Sequence, residues 1–143
     1  MNESTMPLIK DFRPFLPSGK NGYDESKKFY QEIGFTILWS STEVTEFGSG
    51  CGHRFLLSAN QNKALGENLM LQIWVENVDE WFEYLKSKKL EKKFAGTKIN
   101  APEVMPWGWR IVYVSDPAGV LLHFAEPHSE ENRSYFNKAE WIS

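Results

Sequence analysis

The stretch Pro106-Trp107-Gly108-Trp109-Arg110-Ile111-Val112-Tyr113-Val114-Ser115-Asp116-Pro117-Ala118-Gly119-Val120-Leu121-Leu122-His123-Phe124 decides the fold. It reads as a tight turn, a strand, a second tight turn and a second strand. Asp116-Pro117-Ala118-Gly119 is turn chemistry, because proline presets φ near −65° and glycine adopts positive φ without steric cost. The apolar runs on either side are short and rich in β-branched residues, so the segment is a hairpin with one buried face.

Upstream of the hairpin, Leu69–Val75 reads as a strand. Asn77-Val78-Asp79-Glu80 has the form of a capping box. The helix it opens turns Val78, Trp81, Phe82 and Leu85 inward, and its basic stretch Lys86–Lys93 is a solvated helix end, favourable against the dipole. Residues 97–104 form a short strand or loop. In the first half, Leu8–Leu16 alternates loosely as a first strand, with Pro14 marking an edge or an end. Asp24–Ile33 is helical, with Ser26, Phe29, Tyr30 and Ile33 on one face and Gly34 as its stop. Strands follow at Phe35–Trp39, Val44–Phe47 and His53–Ser58, with a turn at Gly48–Gly52, and the polar stretch Ala59–Asn68 is a linker. The order strand, helix, three strands therefore occurs twice. Residues 129–143 read as a last helix capped at Ser129, whose Tyr135, Phe136 and Trp141 require cover from the body of the molecule or from a second subunit.

Bulk properties narrow the function. The 143 residues suffice for one core shared by two halves. A net charge of −3 without a basic patch argues against nucleic acid and leans weakly towards a cationic ligand. No apolar run is long enough to span a membrane, and no signal-peptide core opens the chain, so a cytoplasmic location is expected. The single cysteine, Cys51, excludes an internal disulfide framework, and its glycine-rich turn reads as a loop position before it reads as a nucleophile. Aromatic residues make up 15% of the chain, with six tryptophans, so a core or a pocket must use them. Gly-x-Ser-x-Gly, P-loop and Cys-x-x-Cys motifs are missing from the sequence, and Gly48-x-Gly50-x-Gly52 lacks the helix that dinucleotide binding requires.

The repeated order, with Ser26-x-x-Phe29-Tyr30-x-x-x-Ile33-Gly34-Phe35 in the first half and Pro106-Trp107-Gly108 plus Asp116-Pro117-x-Gly119 in the second, resembles the glyoxalase/bleomycin-resistance/extradiol-dioxygenase superfamily. The resemblance runs over residues 8–127. It implies an α+β fold of two βαβββ modules, about 8–58 and 69–127, whose curved mixed sheets surround a shared cavity, usually in a homodimer. Residues 128–143 are then a C-terminal tail. The resemblance by itself implies no chemistry, since the superfamily holds both metal enzymes and metal-free binding proteins.

In the metal enzymes, ligands come from the first strand of each module and from the final strand. Here those places hold Lys10–Phe15, with Asp11 the one candidate ligand and Arg13 beside it, then Met70, and then His123 where a Glu is usual. A thioether is a poor ligand for hard or borderline divalent ions, so no family-type metal site and no cofactor is expected. The bleomycin-resistance proteins also resemble the chain around Trp107-Gly108 and Asp116–Gly119. They can carry a His on the final strand, and they bind the drug without metal or reaction. His123 reads either as a cavity-wall residue hydrogen-bonded to a neighbour or as a ligand contact; His53 and His128 read as structural or exposed.

Strand alternation, with the parity implied by the resemblance, puts Met70, Gln72 and Trp74 on one cavity face with Trp109, Ile111 and Tyr113, and with Leu121, His123 and Ala125. A slip of one residue would invert it. Trp39 and Phe55 of the first half and Trp107 of the turn are further ligand-binding candidates. The alternative is that these rings are plain core. Glu43, Glu46, Glu103 and Glu126 are the acidic groups that could receive a cationic tail. The expected function is metal-free sequestration of a planar, cationic antibiotic of bleomycin type or a related ligand in an aromatic crevice of a homodimer. Two other readings are a metal-dependent lyase, isomerase or dioxygenase using His123, Glu126, Gln72 and His53, and an interaction domain acting through the 129–143 tail. Tyr113 or His123 could also serve as a metal-free general acid or base.

Overall fold

The computed structural model describes residues 5–138, so Trp141 lies outside the described residues. The first module consists of β1 (Phe15–Leu16), α1 (Tyr23–Ile33), β2 (Thr36–Ser40), β3 (Val44–Gly48) and β4 (Arg54–Ser58). A short helix α2 (Lys63–Asn68) leads to the second module: β5 (Met70–Trp74), α3 (Val78–Ser87), α4 (Leu90–Lys93), β6 (Glu103–Val104), β7 (Trp109–Ser115) and β8 (Leu121–Pro127). Helix α5 (Glu130–Lys138) follows.

The two four-stranded mixed sheets have the same topology, β1-β4-β3-β2 and β5-β8-β7-β6. In each, the first strand pairs parallel with the fourth and the remaining pairs are antiparallel. The hairpin β7–β8 is in register over its full length, from Trp109↔Pro127 to Ser115↔Leu121. The expected α+β fold with two βαβββ modules is therefore present, and the sheets are open rather than closed into a barrel.

Helices α1, α3 and α5 form for visible local reasons. On α1, Ser26, Phe29, Tyr30 and Ile33 are buried, as their spacing predicts. Gly34 stops the helix at φ 124°, a conformation that favours glycine, and its N–H reaches the carbonyls of Tyr30 and Gln31. Asn77 caps α3 by accepting from the Glu80 N–H at 3.0 Å. Ser129 caps α5 by accepting from the Asn132 N–H at 3.1 Å, as expected.

Three sequence expectations require correction. Leu8–Leu16 is not a strand: only Phe15 and Leu16 pair, and the preceding residues are exposed and carry no regular structure. Loose alternation without a partner strand does not bury enough surface to order a ladder. Ala59–Asn68 is not all linker, because Asn62 accepts from the Leu65 N–H and starts α2. The basic run Lys86–Lys93 is not one helix end: Lys89 adopts φ 55°, and the chain breaks there into α3 and α4.

One core cluster joins the modules. Phe29, Tyr30, Phe47 and Leu57 of the first pack with Val112, Val114, Leu122 and Phe124 of the second. Its polar centre is Asp116, 2% exposed, whose Oδ2 accepts from the Tyr30 hydroxyl at 2.5 Å and whose Oδ1 accepts from the N–H groups of Ala118 and Val120. Burial lifts the Asp116 carboxyl to about 6, although the Tyr30 hydroxyl and the turn N–H groups pull it down. The Tyr30 phenol is pushed well up by burial and by the Asp116 charge, so it remains the donor.

Two predictions follow from this pair. Tyr30→Phe leaves the buried carboxylate short of one donor and should destabilise the fold by about 1.5–3 kcal/mol in urea unfolding. Because the native carboxyl holds its proton more tightly than the unfolded one, stability should rise as pH falls through about 6 towards 3.8. Measured against Asp116→Asn, the gain between neutral pH and about pH 4 should approach about 3 kcal/mol, and parallel pH profiles for the two proteins would contradict it.

Candidate ligand-binding face

Strand register decides which side chains share a surface. In the second sheet, Gln72 lies beside His123 and His123 beside Tyr113; Trp74 lies beside Ala125, and Met70 beside Leu121. Because Val112, Val114, Leu122 and Phe124 face the helices and are fully buried, the alternate residues face the other way. Met70, Gln72, Trp74, Trp109, Tyr113 and His123 therefore lie on one open face, with the parity that the family resemblance implies.

The face is aromatic and internally ordered. Trp74 Nε1 donates to Gln72 Oε1 at 2.7 Å, which leaves the Gln72 amide N–H groups to face outward. The Tyr113 and His123 rings meet edge to face, 4.7 Å between centroids. The expected hydrogen bond from His123 to a neighbour is not formed at Nε2, which is buried without a partner among the described residues. Burial pushes the His123 imidazole below its usual range and raises the Tyr113 phenol, the latter with help from Glu103. Both rings are therefore uncharged near neutrality. His123 thus favours the fold less as pH falls below the usual imidazole value, since the unfolded chain takes up that proton first.

Helix α5 covers one end of the face. Phe136 is 4% exposed and lies 5.5 Å from Trp74 and 6.4 Å from Trp109, and Tyr135 meets Trp74 edge to face at 5.6 Å. Trp109 is itself 8% exposed, beneath Trp74 and Phe136. The cover that Phe136 requires is thus supplied by the body of the same chain. Asn132 ties the helix down by donating from Nδ2 to the Trp107 carbonyl at 2.8 Å.

The remaining candidates are not brought to this face. Trp107 projects from the turn before β7, 59% exposed. Trp39 pairs with Glu46 on the edge strand of the first sheet, 55% exposed. Phe55 points into the core, where it stacks on Phe47 at 5.3 Å and meets Tyr30 at 5.0 Å. Of the acidic groups, Glu46 is ion-paired with Arg13, and Glu126 Oε1 accepts from the Val78 N–H at the start of α3. Glu103 is the one whose charge reaches the face, through Tyr113. At the expected ligand places, Asp11 is held by Arg13 and by the Phe12 N–H, and Met70 is exposed. Among the described residues no group of three or more His, Cys, Asp or Glu side chains is placed to hold a metal ion, and no helix is long and apolar enough to cross a membrane.

Comparison with known proteins gives a consistent result. The family described as Glyoxalase/Bleomycin resistance protein/Dioxygenase superfamily matches residues 20–124. No curated protein sequence matches the chain. A bleomycin-binding protein solved with bleomycin is similar over 84% of this chain and all of its own, at 23% identity and a TM-score of 0.69. A bleomycin resistance determinant encoded on the transposon Tn5 is similar over 83% of this chain and 98% of its own, at 23% identity and 0.67. A lactoylglutathione lyase from Agrobacterium tumefaciens is similar over 84% and 96%, at 16% identity and 0.59. At these identities the likeness shows the fold alone.

Removing the Phe136 ring should expose Trp74 and Trp109 to water. Phe136→Ala is expected to red-shift the tryptophan emission and increase acrylamide quenching while the far-UV circular dichroism is retained; unchanged quenching would mean that α5 does not cover the face in solution.

Proposed function

Because the chain belongs to the Glyoxalase/Bleomycin resistance protein/Dioxygenase superfamily, we propose that it binds a planar, cationic small molecule on the open face of its second sheet and releases it unchanged. The observation that supports this reading is the registered set Gln72, Trp74, Tyr113 and His123. It combines the Tyr113 ring, the partly covered Trp74 indole, an outward amide and an uncharged imidazole on one surface. Flat ligands stack on such rings, a cationic group gains from their negative faces, and the amide sets orientation. Glu103 supplies the charge complement beside Tyr113. The bleomycin-binding neighbours make a glycopeptide of that kind the first ligand to test. A homodimer that closes the open face is part of this proposal, since a single sheet face buries only one side of a flat ligand.

A second reading is a metal-assisted lyase or dioxygenase, and the unpartnered Nε2 of His123 is the observation in its favour. Stoichiometric divalent metal in gently purified protein would select it.

Titration of the tryptophan fluorescence with metal-free bleomycin tests the first reading. Saturable quenching in the micromolar range or below is expected, weakened about five- to tenfold by Trp74→Ala. No change up to about a millimolar, a binding energy of only about −4 kcal/mol, would exclude a bleomycin-type ligand.

A further inference from the structure

The seam between the modules is not filled. Strand β1 is two residues long, so the Arg54–Phe55 end of β4 runs past it. Strand β5 is the outer strand of the second sheet, paired only with β8. Between these two edges lies a cavity of about 440 Å³. Tyr30, Phe35 and Phe55 wall it from the first module, and Leu71, Ile73 and Leu122 from the second. These walls are separate from the open face, and only Gln72 and Trp74, on the shared edge, belong to both.

The mouth differs from the walls. Ser49, His53, Arg54 and Gln72 surround it. The Arg54 guanidinium makes no ion pair or hydrogen bond among the described residues. Asp11, an acid that feels its charge, is already bound by Arg13 Nε at 2.8 Å. A shallow groove lined by Lys10, Asp11, Arg13 and Arg54 adjoins it, so cations outnumber acids there. Gln72 has committed its oxygen to Trp74 and keeps its amide donors. Ser49 Oγ and His53 Nδ1 share a hydrogen bond of 3.1 Å. An unpaired guanidinium beside free amide donors is a donor set that recognises an oxyanion.

We infer that this seam is a second binding site, for a small amphiphile with an apolar body of one or two rings and a single carboxylate or sulfonate head. The body enters between Phe55 and Ile73, and the head stays at the mouth on Arg54. The volume lies in the range of pockets that enclose small ligands. The charge preference is opposite to that proposed for the open face, and Arg54, Leu71 and Tyr113, each in one site alone, let the two be tested separately.

The test uses 1-anilinonaphthalene-8-sulfonate and its uncharged relative N-phenyl-1-naphthylamine as fluorescent probes on the full chain. Both should bind saturably, one per chain, with the sulfonate tighter. Arg54→Gln, at an exposed position, should weaken the sulfonate about tenfold and change the neutral probe less than twofold. Leu71→Phe, in protein with unchanged circular dichroism, should abolish both by filling the cavity. Tyr113→Ala, on the open face, should alter neither. Absence of sulfonate binding overturns the inference. So does binding that is insensitive to both Arg54→Gln and Leu71→Phe, or binding lost with Tyr113→Ala but not with Arg54→Gln.

Discussion

The hydrogen bond from Tyr30 to Asp116 ties the two halves of the molecule together, 86 residues apart in sequence. An ionised carboxylate in an apolar core is unfavourable unless donors surround it. The turn Asp116–Gly119 supplies some of them from its own backbone, and α1 supplies the last. The same turn leaves two glycines no room for a side chain: a Cβ at Gly19 would lie 2.3 Å from the Pro117 carbonyl oxygen, and one at Gly66 2.3 Å from that of Ala118. Loop, helix and turn converge on one buried acid, so the relative placement of the two sheets depends on its partners.

That placement creates two surfaces of different character. Helices on one side of both sheets bury the shared core and leave the other side of each sheet open. On the second sheet the open side is aromatic, with Glu103 beside Tyr113 and α5 folded back over one end. Where the sheet edges approach one another, a gap persists because β1 is too short to close it. Rings and cavities here are thus consequences of strand length and register rather than of any one motif.

Much of this was legible in the sequence. Period-two alternation in Leu69–Val75 and Trp109–Ser115 grouped Met70, Gln72 and Trp74, and Trp109 with Tyr113, while the parity that set these groups on one face with His123 came from the family resemblance. Asn77 and Ser129 announced their helices, because a cap is a local interaction between near neighbours. What could not be read depended on distant partners. Phe55 read as a wall of the aromatic face, but the pairing Phe47↔Phe55 turns it instead towards the core and the seam between the modules. Asp116 read as turn chemistry alone, since nothing local indicates that Tyr30 completes it. Arg54 gave no signal, because its importance rests on having no free acid beside it among the described residues, which only the fold reveals.

The duplicated topology also separates two tasks. The residues that hold the sheets together, such as Phe29, Leu57, Val112 and Phe124, point towards the helices, while Met70, Gln72 and His123 point away and belong to neither buried cluster, and Tyr113 packs at the margin of the smaller one. Side chains on that outer surface can change at little cost to folding. A lineage carrying this chain can therefore alter what the surface recognises one residue at a time, keeping a foldable intermediate at each step.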